Sequence, residues 1–317
     1  MTPIRIGTCS FADEALTKWW YPKGVPAKER LAYYAERFDT VEIDSTYYRL
    51  PERTTTQSWS ERTPEGFVFH IKAFGLMTRH PVRLEQLPPD LRDAADTDAR
   101  GRVERPSREL RAEVFRRFVE ELGPLREAGK LGGVLFQLPP YIVAKPSSCE
   151  YLEWAREQLD GLPLLVEFRH RSWLEGDQTA QTLRFLEERG LTFVVVDAPR
   201  VDSNAVAPTV VARTSPVAYA RFHGRNADTW HKRGGSAAER FDYLYPDEEL
   251  REWVGPLREL ADGAEEAYAF FNNNNRSSAP PGSGRDFVAQ APTNARMLRG
   301  LLDVAGIPAS GGSVADG

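Results

Sequence analysis

The sequence predicts a single (β/α)8 barrel. Three observations carry the prediction: eight short, β-rich apolar runs, amphipathic helical patterns between most of them, and charged or amide side chains where the runs end. Strands buried under helices on both faces read as continuous apolar runs. Strands alternating with helices imply a parallel sheet, and eight such units imply closure into a barrel.

The runs are "IRIGTCSF" from Ile4, "TVEIDSTYY" from Thr40, "FVFHIKAF" from Phe67 and "GVLFQLPP" from Gly133. They continue with "LLVEFRH" from Leu164, "TFVVVDAP" from Thr192, "VAYARFHG" from Val217 and "AYAFFNNN" from Ala267. Between them, Leu31, Tyr34, Ala35 and Phe38 mark one helical face, and Leu110, Val114, Phe118 and Leu122 mark another. Ser147 and Glu150 read as a capping box ahead of Leu152, Ala155 and Leu159. Leu183 and Leu186 precede Gly190, a C-terminal glycine. Asp247 opens a helix through Leu250, Trp253 and Leu257 that Pro256 should kink or split. The last helix carries Ala295, Leu298 and Leu302.

Three stretches are irregular. Residues 78–106 are dense in Asp and Arg without apolar periodicity, which reads as a charged insertion after strand 3. The unit after strand 6 lacks a helix pattern and is degenerate. "RSSAPPGSGRDFVAQAP" is a long loop after strand 8. The domain is expected to span residues 1–303, with a disordered tail over 304–317.

Composition is that of an ordinary globular chain: 317 residues, 41% hydrophobic and 27% charged. No apolar run is long enough to span a membrane, and the N-terminus shows no leader pattern. Cys9 and Cys149 sit in unrelated segments and read as free thiols, so a cytoplasmic location is expected. The net charge of −5 argues against nucleic-acid binding by bulk charge. Oligomeric state leaves no mark in the sequence.

Side chains alternate along a strand between barrel interior and helical layer. Glu42 shares a face with Asp44, His70 with Lys72, Glu167 with Arg169, and Arg221 with His223. Gln137 opposes Phe136, and Asp197 follows Val195. With "NNNN" counted on the eighth, seven of the eight strands end in polar groups, which are expected to point into the barrel at its C-terminal mouth. Active sites of this architecture sit at that end. Isolated polar groups buried there would cost several kcal/mol each, so they must pair with one another, with water or with a ligand.

"GTCSF", "YYAERFDTVEIDSTYY", "FVFHIKA", "GGVLFQLPP", "VEFRHRSW", "YARFHGR" and "FFNNN" with a later "NA" resemble the YecE-like family, domain of unknown function 72. The resemblance runs from Ile4 to about Leu302 in the family order. It implies a TIM-barrel fold and brings no established reaction. The insertion after Lys72 and the long gap before Asn294 depart from the family pattern.

The favoured chemistry is acid–base catalysis on a small anionic substrate, phosphorylated or carboxylated. Arg169, Arg221 and Lys72 would hold the anion, and Glu42, Glu167 or Asp197 would act as base with His223 or His170 as acid. Tyr47, Gln137, Trp173, Asn272 and Asn273 would complete the binding surface. A metal-dependent hydrolase or isomerase is the alternative, with a divalent ion on Glu42, Glu167, Asp197 and His223; the three cations on the same rim oppose it. Lys72 as a Schiff base and Cys9 as a nucleophile are minor readings. A retaining glycosidase would need carboxyls where this chain has Gln137, Arg221 and His223. Nucleic-acid binding through Tyr47, Tyr48, Trp173 and Trp230 is the reading from a different class.

Overall fold

The computed structural model describes residues 1–230, 237–281 and 283–312. Its strands are β1 (Ile4–Thr8), β2 (Thr40–Ile43), β3 (Val68–Lys72), β4 (Leu131–Gln137), β5 (Leu164–Glu167), β6 (Thr192–Asp197), β7 (Val217–Phe222), β8 (Glu266–Phe271) and β9 (Ala309–Ser310). Their hydrogen-bonded order is β9-β1-β8-β7-β6-β5-β4-β3-β2, and every pairing is parallel. A parallel bridge between Cys9 and Glu42 brings β1 onto β2 at the seam of this curled sheet. The fold is a TIM-barrel-like α/β architecture.

Two layers of packing follow from strand alternation. Val68, Leu135, Leu165, Val194, Tyr219, Tyr268 and Phe270 fill the barrel interior with Cys9. Their neighbours, such as Phe69, Phe136, Val166, Phe193 and Val195, pack outward with helical residues including Leu31, Leu110, Leu152 and Leu186. Gly7 is required at the seam, because a Cβ there would meet the Thr40 carbonyl oxygen at 2.7 Å.

The helical layer largely follows the predicted pattern. Ser107 caps the helix Arg108–Glu121 by accepting from the Leu110 amide at 3.1 Å. The expected capping box at Ser147 does not form: Pro146 takes the first helical position of Pro146–Gln158, behind Lys145. The helix begun at Asp247 is split into Asp247–Arg251 and Val254–Ala261, and Pro256 sits in the first turn of the second piece, where its missing N–H costs no helical bond. Residues 198–216 carry no helix, as the degenerate unit after strand 6 requires.

The insertion after β3 is compact. Val82–Arg83 pairs antiparallel with Arg102–Val103, and Arg102 donates to Asp98 at 2.7 Å. It is tied to the loops at the mouth by bonds from Gln86 to the Tyr48 carbonyl and from Tyr141 to the Arg79 carbonyl. The tail expected from residue 304 is a correction. Val304 ends the helix Gln290–Val304, and β9 pairs with β1 through Ile4 and Arg5. Residues 313–317 lie outside the described residues.

Candidate functional site

At the floor of the mouth, the fully buried Arg221 of β7 is held between carboxylates from opposite sides of the barrel. Its Nη2 donates to Glu42 Oε1 at 2.5 Å, and its Nη1 donates to Glu167 Oε2. Tyr219, two residues earlier on the same face, donates to Glu42 Oε2 at 2.8 Å. Glu167 Oε1 accepts from Gln137 at 2.7 Å and from Arg169 at 3.2 Å. The same oxygen lies 3.1 Å from His223 Nε2. On the other side of that ring, Asn272 Nδ2 meets Nδ1 at 2.9 Å, so the imidazole accepts from Asn272 and donates to Glu167.

The electrostatics follow from burial and pairing. Burial would raise the Glu167 carboxyl, but Arg221, His223 and Arg169 outweigh it and hold it well below the usual carboxylate range. Burial pushes Glu42 up despite Arg221. Burial opposes the charge on Arg221, while Glu42 and Glu167 secure it. Burial brings His223 down to about 4, leaving it neutral at pH 7. The floor is therefore a densely bonded network in which both Arg221 terminal nitrogens, Glu167 and His223 are committed to protein partners, while Arg221 Nε is left without one.

Above it lie less committed groups. Lys72 Nζ is 3.6 Å from Asp44 Oδ1 and 5.1 Å from the centroid of the Tyr47 ring. Asp44 Oδ1 is also 3.8 Å from Arg221 Nη2, and it is buried without a hydrogen-bond partner. Arg169 lies 4.7 Å from the Trp230 ring centroid. His80, from the insertion, packs edge-on to Tyr47; burial, Lys72 and Arg169 bring its pKa down to about 3.

Several expected site residues are placed elsewhere. Asp197 shares the outward face of β6 with Phe193 and Val195, and binds Arg225 at 2.8 Å and the Trp253 indole at 2.5 Å. His170 caps the short turn Arg171–Trp173 by accepting from the Ser172 amide. Trp173 is buried against Phe168 and donates to the Ile142 carbonyl. Asn273 bonds the Tyr243 carbonyl and Asn294, and so leaves the mouth to Asn272. Arg221 faces the barrel interior, but with both terminal nitrogens on carboxylates it is a floor residue and is not free to clamp an anion. His70 points inward deeper in the barrel, edge-on to Tyr219 and Tyr268, with neither ring nitrogen hydrogen-bonded.

The proposed metal set fails on the same geometry, since Asp197 points outward and Arg221 separates Glu42 from Glu167. Cys9, Glu42 and Asp44 do bring ligand atoms within 4.8 Å of one another. Arg221 Nη2 stands against all three, at 3.6 Å from the thiol, and a divalent cation would have to displace it. Burial, then Glu42, raises the Cys9 thiol well above its ordinary range, which opposes a nucleophilic role. Tyr219 was not expected at the site, and Asp44, read as sharing the inward face with Glu42, was given no role there. Their signal was strand alternation, because Tyr219 precedes Arg221 and Asp44 follows Glu42 by two residues.

Fold and site together define a TIM-barrel protein with an ion-paired floor under a mixed-charge mouth. The chain belongs to the family described as Protein of unknown function DUF72, whose model matches residues 5–307. UPF0759 protein YunF of Bacillus subtilis (strain 168) is 31% identical over 304 residues, covering 95% of each chain. A DUF72 family protein of Thermotoga maritima MSB8 has a crystal structure with a TM-score of 0.72 and 30% identity, covering 95% of this chain and 99% of that one. A DUF72 family protein of Enterococcus faecalis V583 matches with a TM-score of 0.70 and 27% identity, over 96% and 98%. Among the described residues, no helix is long and apolar enough to cross a membrane.

Proposed function

We propose that the mouth is the active site of an enzyme that performs acid–base chemistry on a small hydroxylated anion. The observation that carries this reading is Asp44 Oδ1: a buried carboxylate oxygen with no hydrogen-bond partner, 3.6 Å from an ammonium group. Leaving such an acceptor unmet is costly, and a substrate hydroxyl or acidic C–H would meet it. Lys72 and Arg169, with side chains 13% and 12% exposed, supply the positive charge for a phosphate or carboxylate.

In this arrangement Asp44 takes a proton from the substrate and the Lys72 ammonium returns one, so no co-reactant is needed. Glu42, Glu167 and His223 act as positioning residues through Arg221 and Arg169. The placement of the aromatic side chains favours this over a nucleic-acid surface: Trp173 is in the core and Trp230 is buried beside Arg169.

The test is thermal unfolding with sugar phosphates, sugar acids, hydroxy acids and short oligonucleotides. A ligand at 100 times its Kd adds about 2.7 kcal/mol. Stabilisation by one of the small anions should disappear in Lys72→Gln/Arg169→Met. Incubation of that ligand in D2O should give deuterium at carbon with the natural protein and none with Asp44→Asn. Stabilisation by oligonucleotides alone, or a bound anion that never exchanges, rejects the enzyme reading.

A further inference from the structure

Outside the mouth, a cavity of about 400 Å³ opens between the insertion after β3, the helix Arg108–Glu121 and the start of the helix Pro146–Gln158. Arg79, Arg108 and Arg111 line it together with Ser147, Tyr151 and Trp154. Arg79 Cζ lies 4.0 Å from the centroid of the Tyr151 ring, and Arg111 Cζ lies 5.3 Å from the same centroid. Arg108 Cζ is 5.9 Å from the Trp154 ring.

Three arginines share this space with a single carboxylate, Glu150. No ion pair joins any of the three arginines to a carboxylate among the described residues, and Glu150, which also lines the cavity, pairs with none of them. Arg111 Nε is buried and lacks a hydrogen-bond partner. Burial lowers the Arg79 pKa, and Arg111 beside it lowers it further. Elsewhere this chain neutralises neighbouring arginines, as Glu113 does for Arg116 and Arg117.

The backbone holds the cluster in place. Arg79 has φ of +65°, a left-handed conformation unusual for a side chain with a Cβ, and the Tyr141 hydroxyl fixes its carbonyl at 2.8 Å. The next residue, His80, packs against Tyr47 at the mouth, while the Arg79 side chain lies on Tyr151. The helix Pro146–Gln158 presents its start with no side-chain cap, adding the positive end of its dipole.

We propose that this cavity is a second anion site, which takes the phosphate group of a small molecule. A carboxylate is satisfied by one bidentate guanidinium, whereas a phosphate dianion has terminal oxygens for three. Binding there is independent of the mouth reaction.

Isothermal titration with inorganic phosphate and with methyl phosphate, at constant ionic strength, tests it. Saturable binding is expected, weakened at least tenfold in Arg108→Met/Arg111→Met and retained in Lys72→Gln/Arg169→Met. Arg108 is exposed, so Arg108→Met alone should weaken binding about threefold with an unchanged circular dichroism spectrum. Tighter binding of the ester identifies a phosphorylated metabolite as ligand, and equal binding identifies free phosphate; both sustain the site. No saturable binding, or a loss confined to the Lys72→Gln/Arg169→Met variant, overturns it.

Discussion

Arg221 and Glu42 lie 179 residues apart in the chain and meet at 2.5 Å inside the barrel, with neither side chain exposed. Glu167 takes the other terminal nitrogen, so one guanidinium offsets two buried carboxylates. Arg221→Met would leave Glu42 without its ion-pair partner and Glu167 with Arg169 alone. Breaking a buried ion pair from one side costs about 3–5 kcal/mol, and urea unfolding should show a loss of that size. A loss near zero would mean that water reaches the floor.

Asp197 supports a different prediction. It clamps Arg225 and Trp253 outside the barrel, so Asp197→Asn should lower stability by about 3 kcal/mol. Ligand affinity at the mouth should stay as it was. Titration of any mouth ligand into this variant separates the structural role from a catalytic one.

Acid sensitivity should trace in part to His70. Burial brings its pKa from 6.5 to about 3, so the folded chain refuses a proton that the unfolded chain accepts. Above pH 6.5 this group costs the fold nothing, and stability is lost as pH falls from there toward 3, because only the unfolded chain takes up the proton. His70→Leu removes that proton uptake. Compared with the natural chain, its stability should fall less steeply on acidification, by about 1.4 kcal/mol per pH unit well inside the window. Asp13, raised to about 6 mainly by burial, titrates in both proteins and cancels in the difference. Parallel pH profiles would contradict the buried neutral imidazole.

Gly7→Ala tests the seam. Its new Cβ would meet the Thr40 carbonyl oxygen at 2.7 Å and Phe270 at 2.8 Å, and backbone cannot rotate away. Overpacking of this kind costs about 1–3 kcal/mol. The lowered melting temperature should be absent in Gly255→Ala, where nothing lies within 4 Å.

The barrel was legible because each strand is an apolar run flanked by turns, and no distant information is needed to see one. Face assignment was legible where charge alternates with apolar residues, as in "VEFR" and "ARFH". It failed at "FVVVD", where three consecutive valines are apolar on both faces and leave the phase of Asp197 undefined. His170, Trp173 and Asn273 follow their strands into loops, where alternation no longer governs direction. The role of Arg221 was hidden for another reason: its partners are set by ring closure across the barrel.

The bridge from Cys9 to Glu42 joins the strand seam to the ion-paired floor. Glu42 belongs to one margin of the seam, while Arg221 reaches it from across the ring. A sheet that has not yet closed, whatever order its strands take, therefore lacks the Glu42–Arg221 contact.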